Sequence, residues 1–331
     1  MKEFLRKKNI IFSAKRYGID ALGAMAQGLF ASLLIGTIIS TLGEQLGIGI
    51  LVTVGGYAKG ATGAAMAISI GVALQCPPLV LFSLAAVGMA ANELGGAGGP
   101  LAVLVVTIFA AEFGKLVSKE TKIDIIVTPF VTICVGVLLS LGCAPAIGAA
   151  ASTVGTAIMW ATELQPFFMG IIVSVIVGIA LTLPISSAAI CAALSLTGLA
   201  GGAAVAGCCA QMVGFAVMSF KENKWGGLLA QGLGTSMLQM GNIVRNPKIW
   251  IPPTLASMVT GPLSTMVFHL ENIPAGSGMG TCGLVGPIGI YTAMQGSGNS
   301  MMWPGILLIC FVLPAVFSIQ TVAFVHEILY Q

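Results

Sequence analysis

The sequence predicts an all-α polytopic membrane protein, with about eight to ten transmembrane helices and additional re-entrant hairpins. Three observations carry that expectation. Charged residues are 8% of the 331-residue chain, against about 25% in an ordinary soluble domain. Apolar residues are 57% and mean hydropathy is +1.01. No Asp, Glu, Lys or Arg occurs at 21–43, 60–92, 125–162, 164–220 or 272–326. A spanning helix needs about 20 apolar residues, so several of these runs hold more than one crossing.

In chain order, residues 1–20 hold six cations, Lys2, Arg6, Lys7, Lys8, Lys15 and Arg16, interleaved with Phe4, Leu5, Ile10, Ile11 and Phe12. This pattern predicts an amphipathic helix on the cytoplasmic leaflet and a cytoplasmic N-terminus. No short apolar core with a small-residue cleavage site follows it. The first crossing is expected at about 21–43. Basic clusters at 115–122 and 221–224 read as cytoplasmic loops. Parity then requires an odd number of crossings between 45 and 111 and an even number between 123 and 220. Two short segments, 45–58 and 186–200, are open between spanning and re-entrant.

A weak internal repeat relates IGVALQCP at 70–77 to VGIALTLP at 177–184, a shift of 107 residues. Each copy is followed by a double glycine (95–96 and 201–202) and then by a basic loop. Repeats of this kind occur in transporter folds. The 44 glycines suit close helix packing where dispersed, and broken helices where they cluster at 95–99, 198–202 and 276–286.

No HExxH, GxSxG or phosphate-binding glycine loop is present, and the only histidines are His269 and His326. Neither a catalytic centre, a cofactor nor a metal is therefore expected. The eight cysteines form no CxxC pair and read as small core hydrophobes. Function then falls to polar groups within the membrane, where they are expensive.

Three stretches supply such groups. The first, 235–253, offers Gln239, Asn242 and Asn246 beside Pro247 and Pro252-Pro253; it reads either as a proline-broken segment facing a solute or as a cytoplasmic loop anchored by Trp250. The second, 269–280, offers His269, Glu271 and Asn272, either as solute and proton ligands or as caps at the far interface. The third, 183–187, offers Ser186 and Ser187, either as hydroxyls at a hairpin or as packing residues.

The runs GTSMLQMGNIVRNPKIWIPPTLASMVTGP (234–262) and LPISSAAICAALSLTGLAGGAA (183–204) give the chain its family resemblance. It resembles the PfoR-type membrane proteins, which are related to the EIIC (membrane IIC) component of the bacterial phosphotransferase system. The likeness extends over nearly the whole chain. It implies an EIIC-like fold and a homodimer of two-part subunits in the bacterial inner membrane. On that reading 21–162 is a scaffold and dimerisation half, and 163–331 a substrate-binding half with re-entrant hairpins. It also implies transport of a small polar solute such as a sugar, with a cytoplasmic EIIB-type protein as partner. The chain departs from the sugar-specific pattern: no Glu precedes the NP…IPP segment, where Gln239–Asn242 stand, and no His lies upstream of His269. A second function is consistent with the resemblance, a receptor or regulator that keeps a carrier fold and signals to a cytoplasmic partner.

Overall fold

The computed structural model describes residues 2–295 and 297–330, with backbone alone for 2 and 322–330. The described residues are almost wholly helical, and the β-pairing among them is a single bridge between Gly198 and Asn272. The chain packs as two units. One runs up to Ala151 and takes in Met240–Arg245; the other holds Ser152–Gln239 and everything from Asn246 onward.

In the first unit, α1 covers only Lys2–Lys7. The amphipathic helix expected over 1–20 is cut short because Asn9 adopts a left-handed conformation (φ 54). Residues 16–20 instead open the long helix α2, Arg16–Leu46, with π-helical turns at Arg16–Asp20 and Phe30–Leu34. At 1.5 Å per residue its 31 residues extend about 46 Å, well beyond the hydrocarbon thickness of about 30 Å. Gly47, at φ +68, makes the left-handed cap that turns the chain back.

The return leg is α3 (Gly49–Gly60) and α4 (Thr62–Ala73). The segment 45–58 is thus the start of a leg packed antiparallel along α2. Gly28 faces Ala65, Gly36 faces Gly55, and Gly43 faces Val52, which fixes the two legs as antiparallel. Next come α5 (Pro78–Gly95) and α6 (Gly99–Val117), reversed at the GGAGG cluster. Then α7, Asp124–Thr162, continues as one helix of 39 residues containing Pro129 and Pro145. Gly136 on α7 meets Val87, and Gly148 meets the Gly95 carbonyl. Three antiparallel legs therefore lie between 45 and 117.

The second unit is built around α10. This central helix, Gly198–Met218, is buried along nearly its whole length, and it follows α8 (Pro166–Thr182) and the short α9 (Ser187–Ala193). Gly178 meets Gly207 and Thr182 meets Gln211, so α8 and α10 run parallel. The intervening 183–197 must then cross back as a broken segment, α9 with extended flanks. After α11 (Phe220–Leu229) and the six-residue α12 (Met240–Arg245, in the first unit), α13 (Ile251–Pro262) packs antiparallel to α8 and α10. Ser257 sits against Gly207, and Ser264 against Gly202.

Close approach explains the glycines here. A Cβ on Gly207 would lie 1.8 Å from the Ser174 carbonyl oxygen, and one on Gly202 would lie 1.9 Å from that of Leu270. The last elements are α14 (Pro274–Ser277), α15 (Val285–Met294) and α16, whose apolar stretch is Met302–Thr321. Gly305 lies beside Leu270 and Ser318 beside Gly214, so α16 runs parallel to α10.

Candidate functional site

Residues 268–294 form a hairpin packed along α10. In the irregular lead-in 268–273, Phe268, Leu270 and Asn272 are buried, while His269, held in a left-handed conformation (φ 47), and Glu271 are exposed. From there the chain descends alongside α10. Asn272 lies level with Gly198 and Gly201, and Gly280 with Cys208; the Thr281 hydroxyl is 3.6 Å from the Met212 sulfur. It then reverses, and Gly286 returns to the level of Val205. The reversal uses three left-handed residues, Gly280 (φ +55), Gly283 (φ +52) and Leu284 (φ 60). Two of them are glycines, which adopt that conformation without steric cost; Leu284 carries real strain.

The broken segment around α9 is joined to this hairpin by hydrogen bonds. Ser187 Oγ donates to the Gly278 carbonyl (2.8 Å), Ser277 Oγ to that of Leu196 (2.9 Å), and Asn272 N–H to that of Gly198 (3.3 Å). The Asn272 side chain accepts from Ile273 N–H (2.8 Å) and donates to the Gly286 carbonyl (3.3 Å). Ser186 caps α9, accepting from Ala189 N–H at 3.2 Å.

A second element enters from the other end of α10. Residues 230–239 turn inward after α11, and their π-helical turn Ala230–Gly234 packs on α10 and on the hairpin tip at Cys282–Leu284. The polar groups of this element face inward. Gln231 Nε2 donates to Ser219 Oγ (2.7 Å), and Gln239 Nε2 donates to Gln231 Oε1 (2.8 Å).

Where the two elements converge, α10 presents Gln211, fully buried. Trp250 Nε1 donates to its Oε1 at 3.0 Å, and Thr182 Oγ1 lies 3.4 Å from the same oxygen. Gln211 Nε2 donates to Thr254 Oγ1 at 3.3 Å, and Thr182 shares a 2.8 Å hydrogen bond with Ser236. Every group in this chain is neutral. Such a cluster can hold hydroxyls by exchanging partners, and it offers neither a nucleophile–base pair nor a net charge. Among the described residues no group of three His, Cys, Asp or Glu could hold a metal.

The eight residues singled out from the sequence fall in different places. Gln239 belongs to the inward-turned element. Ser187 and Asn272 tie the hairpins together, and Ser186 is a helix cap. His269 and Glu271 are exposed on the lead-in, and no ion pair joins them among the described residues. Asn246 is exposed and caps the turn Pro247–Trp250, accepting from Lys248 N–H at 3.3 Å. Asn242 lies on α12 in the first unit, where with Asp20, Gln27, Ser69 and Arg245 it lines a cavity of about 590 Å³. Sequence reasoning missed Gln211, Thr182, Ser236 and Trp250 as a group. The available signal was Gln211 itself, an amide in the middle of an otherwise apolar span.

Long apolar helices, broken segments and a re-entrant hairpin around a buried polar cluster define a multi-pass membrane protein of the transporter type. The chain belongs to the family described as "Phosphotransferase system, EIIC", whose model matches residues 19–330. It is thus a membrane component of phosphotransferase type. No curated protein and no solved structure matches it.

Proposed function

We propose that the protein is an EIIC permease of the PfoR type that carries a small polar, uncharged solute such as a sugar, held in the second unit. The observation that supports this most is the buried polar cluster of Gln211, Thr182, Ser236, Trp250 and Thr254, formed where the inward-turned residues 230–239 pack on α10 and on the hairpin tip. Discontinuous elements meeting at mid-depth are how transporters expose polar groups to a solute without opening them to lipid. On this reading Gln211, Gln231, Gln239, Ser236 and Thr281 contact the solute. Ser187 and Asn272 set the position of the hairpins, while Ser186, Asn246, His269 and Glu271 line the approach. Asn242 belongs to the first unit and takes no part in that contact. The first unit acts as scaffold within a homodimer. The protein lies in the bacterial inner membrane with its N-terminus cytoplasmic, and a separate phosphorylated EIIB-type protein transfers its phosphoryl group to a hydroxyl of the solute.

Reconstituted protein should accumulate one chemical class from a panel of sugars, polyols, sugar acids and nucleosides. Neither uptake nor binding across that panel would reject the proposal.

A further inference from the structure

The first unit contains an apolar groove of about 520 Å³ between the N-terminal segment and α6. Leu5, Ile10, Phe12 and Tyr17 form one wall, and Ile108 and Phe109 stand among the residues of the other. Phe12 and Phe109 are 76% and 53% exposed, so the groove opens at the surface of the unit.

The N-terminal wall is fixed in place by a polar cluster. Lys115, 1% exposed, lies 2.7 Å from Glu112 and donates to the carbonyls of Asn9 and Leu74, both at 3.2 Å. Tyr17 donates to Glu112 at 3.0 Å, Arg16 donates to the Leu74 carbonyl (2.5 Å) and to Asn9 Oδ1 (3.2 Å), and Lys8 pairs with Glu120. A groove held open this way is pre-formed. The acid in its wall, Glu112, is already matched by Lys115 and Tyr17, which suits an apolar occupant.

Among the described residues of this segment, Arg6, Lys7 and Lys15 are exposed and without an ion-pair partner, and Glu3 and Asp20 are the only acids in residues 1–20. Arg6 and Lys7 directly follow Leu5 of the wall. An apolar slot beside unpaired cations is complementary to an acyl chain beneath an anionic head group, and each such cation near a membrane surface favours anionic lipid.

We infer that this groove is a binding site for an anionic phospholipid, its acyl chain against Ile108 and Phe109 and its head group on Arg6, Lys7 and Lys15. The site is separate from the solute site.

Native mass spectrometry of the delipidated full chain tests it, with phosphatidylglycerol and phosphatidylcholine of identical acyl chains as probes. The wild type should retain phosphatidylglycerol about tenfold better or more. The triple variant Arg6→Ala/Lys7→Ala/Lys15→Ala, altered only at exposed positions, should lose that preference. Ile108→Trp, which fills the groove, should lower retention of both lipids. Equal retention by the wild type would overturn the inference, as would a preference that survives the triple variant. So would an Ile108→Trp variant that changes the proportion of dimer at unchanged lipid retention, which would assign the face to a second copy.

Discussion

Lys115 shows what a single residue reveals about the fold. A lysine at the end of an apolar helix is expected to snorkel to the interface, yet it is buried in the first unit beneath residues 9–17. Its contact with Glu112 Oε2 is short but lacks hydrogen-bond angles, so the carbonyls of Asn9 and Leu74 supply the directional partners. Removing one member of a buried pair strands the other, at about 3–5 kcal/mol, whereas replacing both with apolar groups is far milder. Lys115→Met should therefore lower the thermal midpoint clearly, and Glu112→Leu/Lys115→Met should recover much of the loss. A double variant worse than the single would contradict the pairing. Nearby, burial pushes the Cys76 thiol up to about 11, so it is protonated at neutral pH and behaves as an apolar side chain.

Among the elements, the N-terminal segment and the glycine-lined helix pair differ most in how far the sequence revealed them. The alternation of cations and apolar residues over 1–20 was visible in the sequence. The shape of the segment was not, because the left-handed turn at Asn9 depends on the tertiary bonds of Asn9 to Arg16 and Gln75. Deleting residues 1–18 would uncover Lys115, so loss of a response after that deletion would not by itself identify a signalling surface.

The contact between α8 and α10 was legible in kind, as dispersed small residues, but not in place. No rule of spacing separates Gly207, pressed against Ser174, from Gly56, which has nothing within 4 Å of an added Cβ. Gly207→Ala should destabilise by about 1–3 kcal/mol or more through overpacking, while Gly56→Ala should be neutral or mildly stabilising. Equal thermal midpoints for the two variants would contradict the close approach.

For the whole molecule, uncharged runs and basic loops were enough to indicate a multi-pass helical membrane protein, since the bilayer allows few alternatives. The proline and glycine clusters at 183–204 and 269–286 likewise pointed to broken helices, and both segments are discontinuous. The candidate site was less legible. Polar residues beside prolines drew the eye, but Ser187 and Asn272 turned out to bond hairpin to hairpin. Gln211 stood alone in its run, and its partners Thr182, Trp250 and Thr254 come from segments up to 43 residues distant, with Ser236 joined through Thr182, so only the folded chain groups them.

The central claim is that the buried polar cluster around Gln211 holds the solute, and thermal unfolding of the purified protein against small polar metabolites tests it most directly. A ligand that binds only the folded state raises its midpoint by mass action. One uncharged, hydroxyl-rich class should raise the midpoint of the wild type. That shift should vanish in Gln211→Leu, whose own midpoint should fall by the equivalent of about 1–3 kcal/mol as Trp250 and Thr254 lose a partner. A ligand shift that persists undiminished in a folded Gln211→Leu protein would contradict the claim.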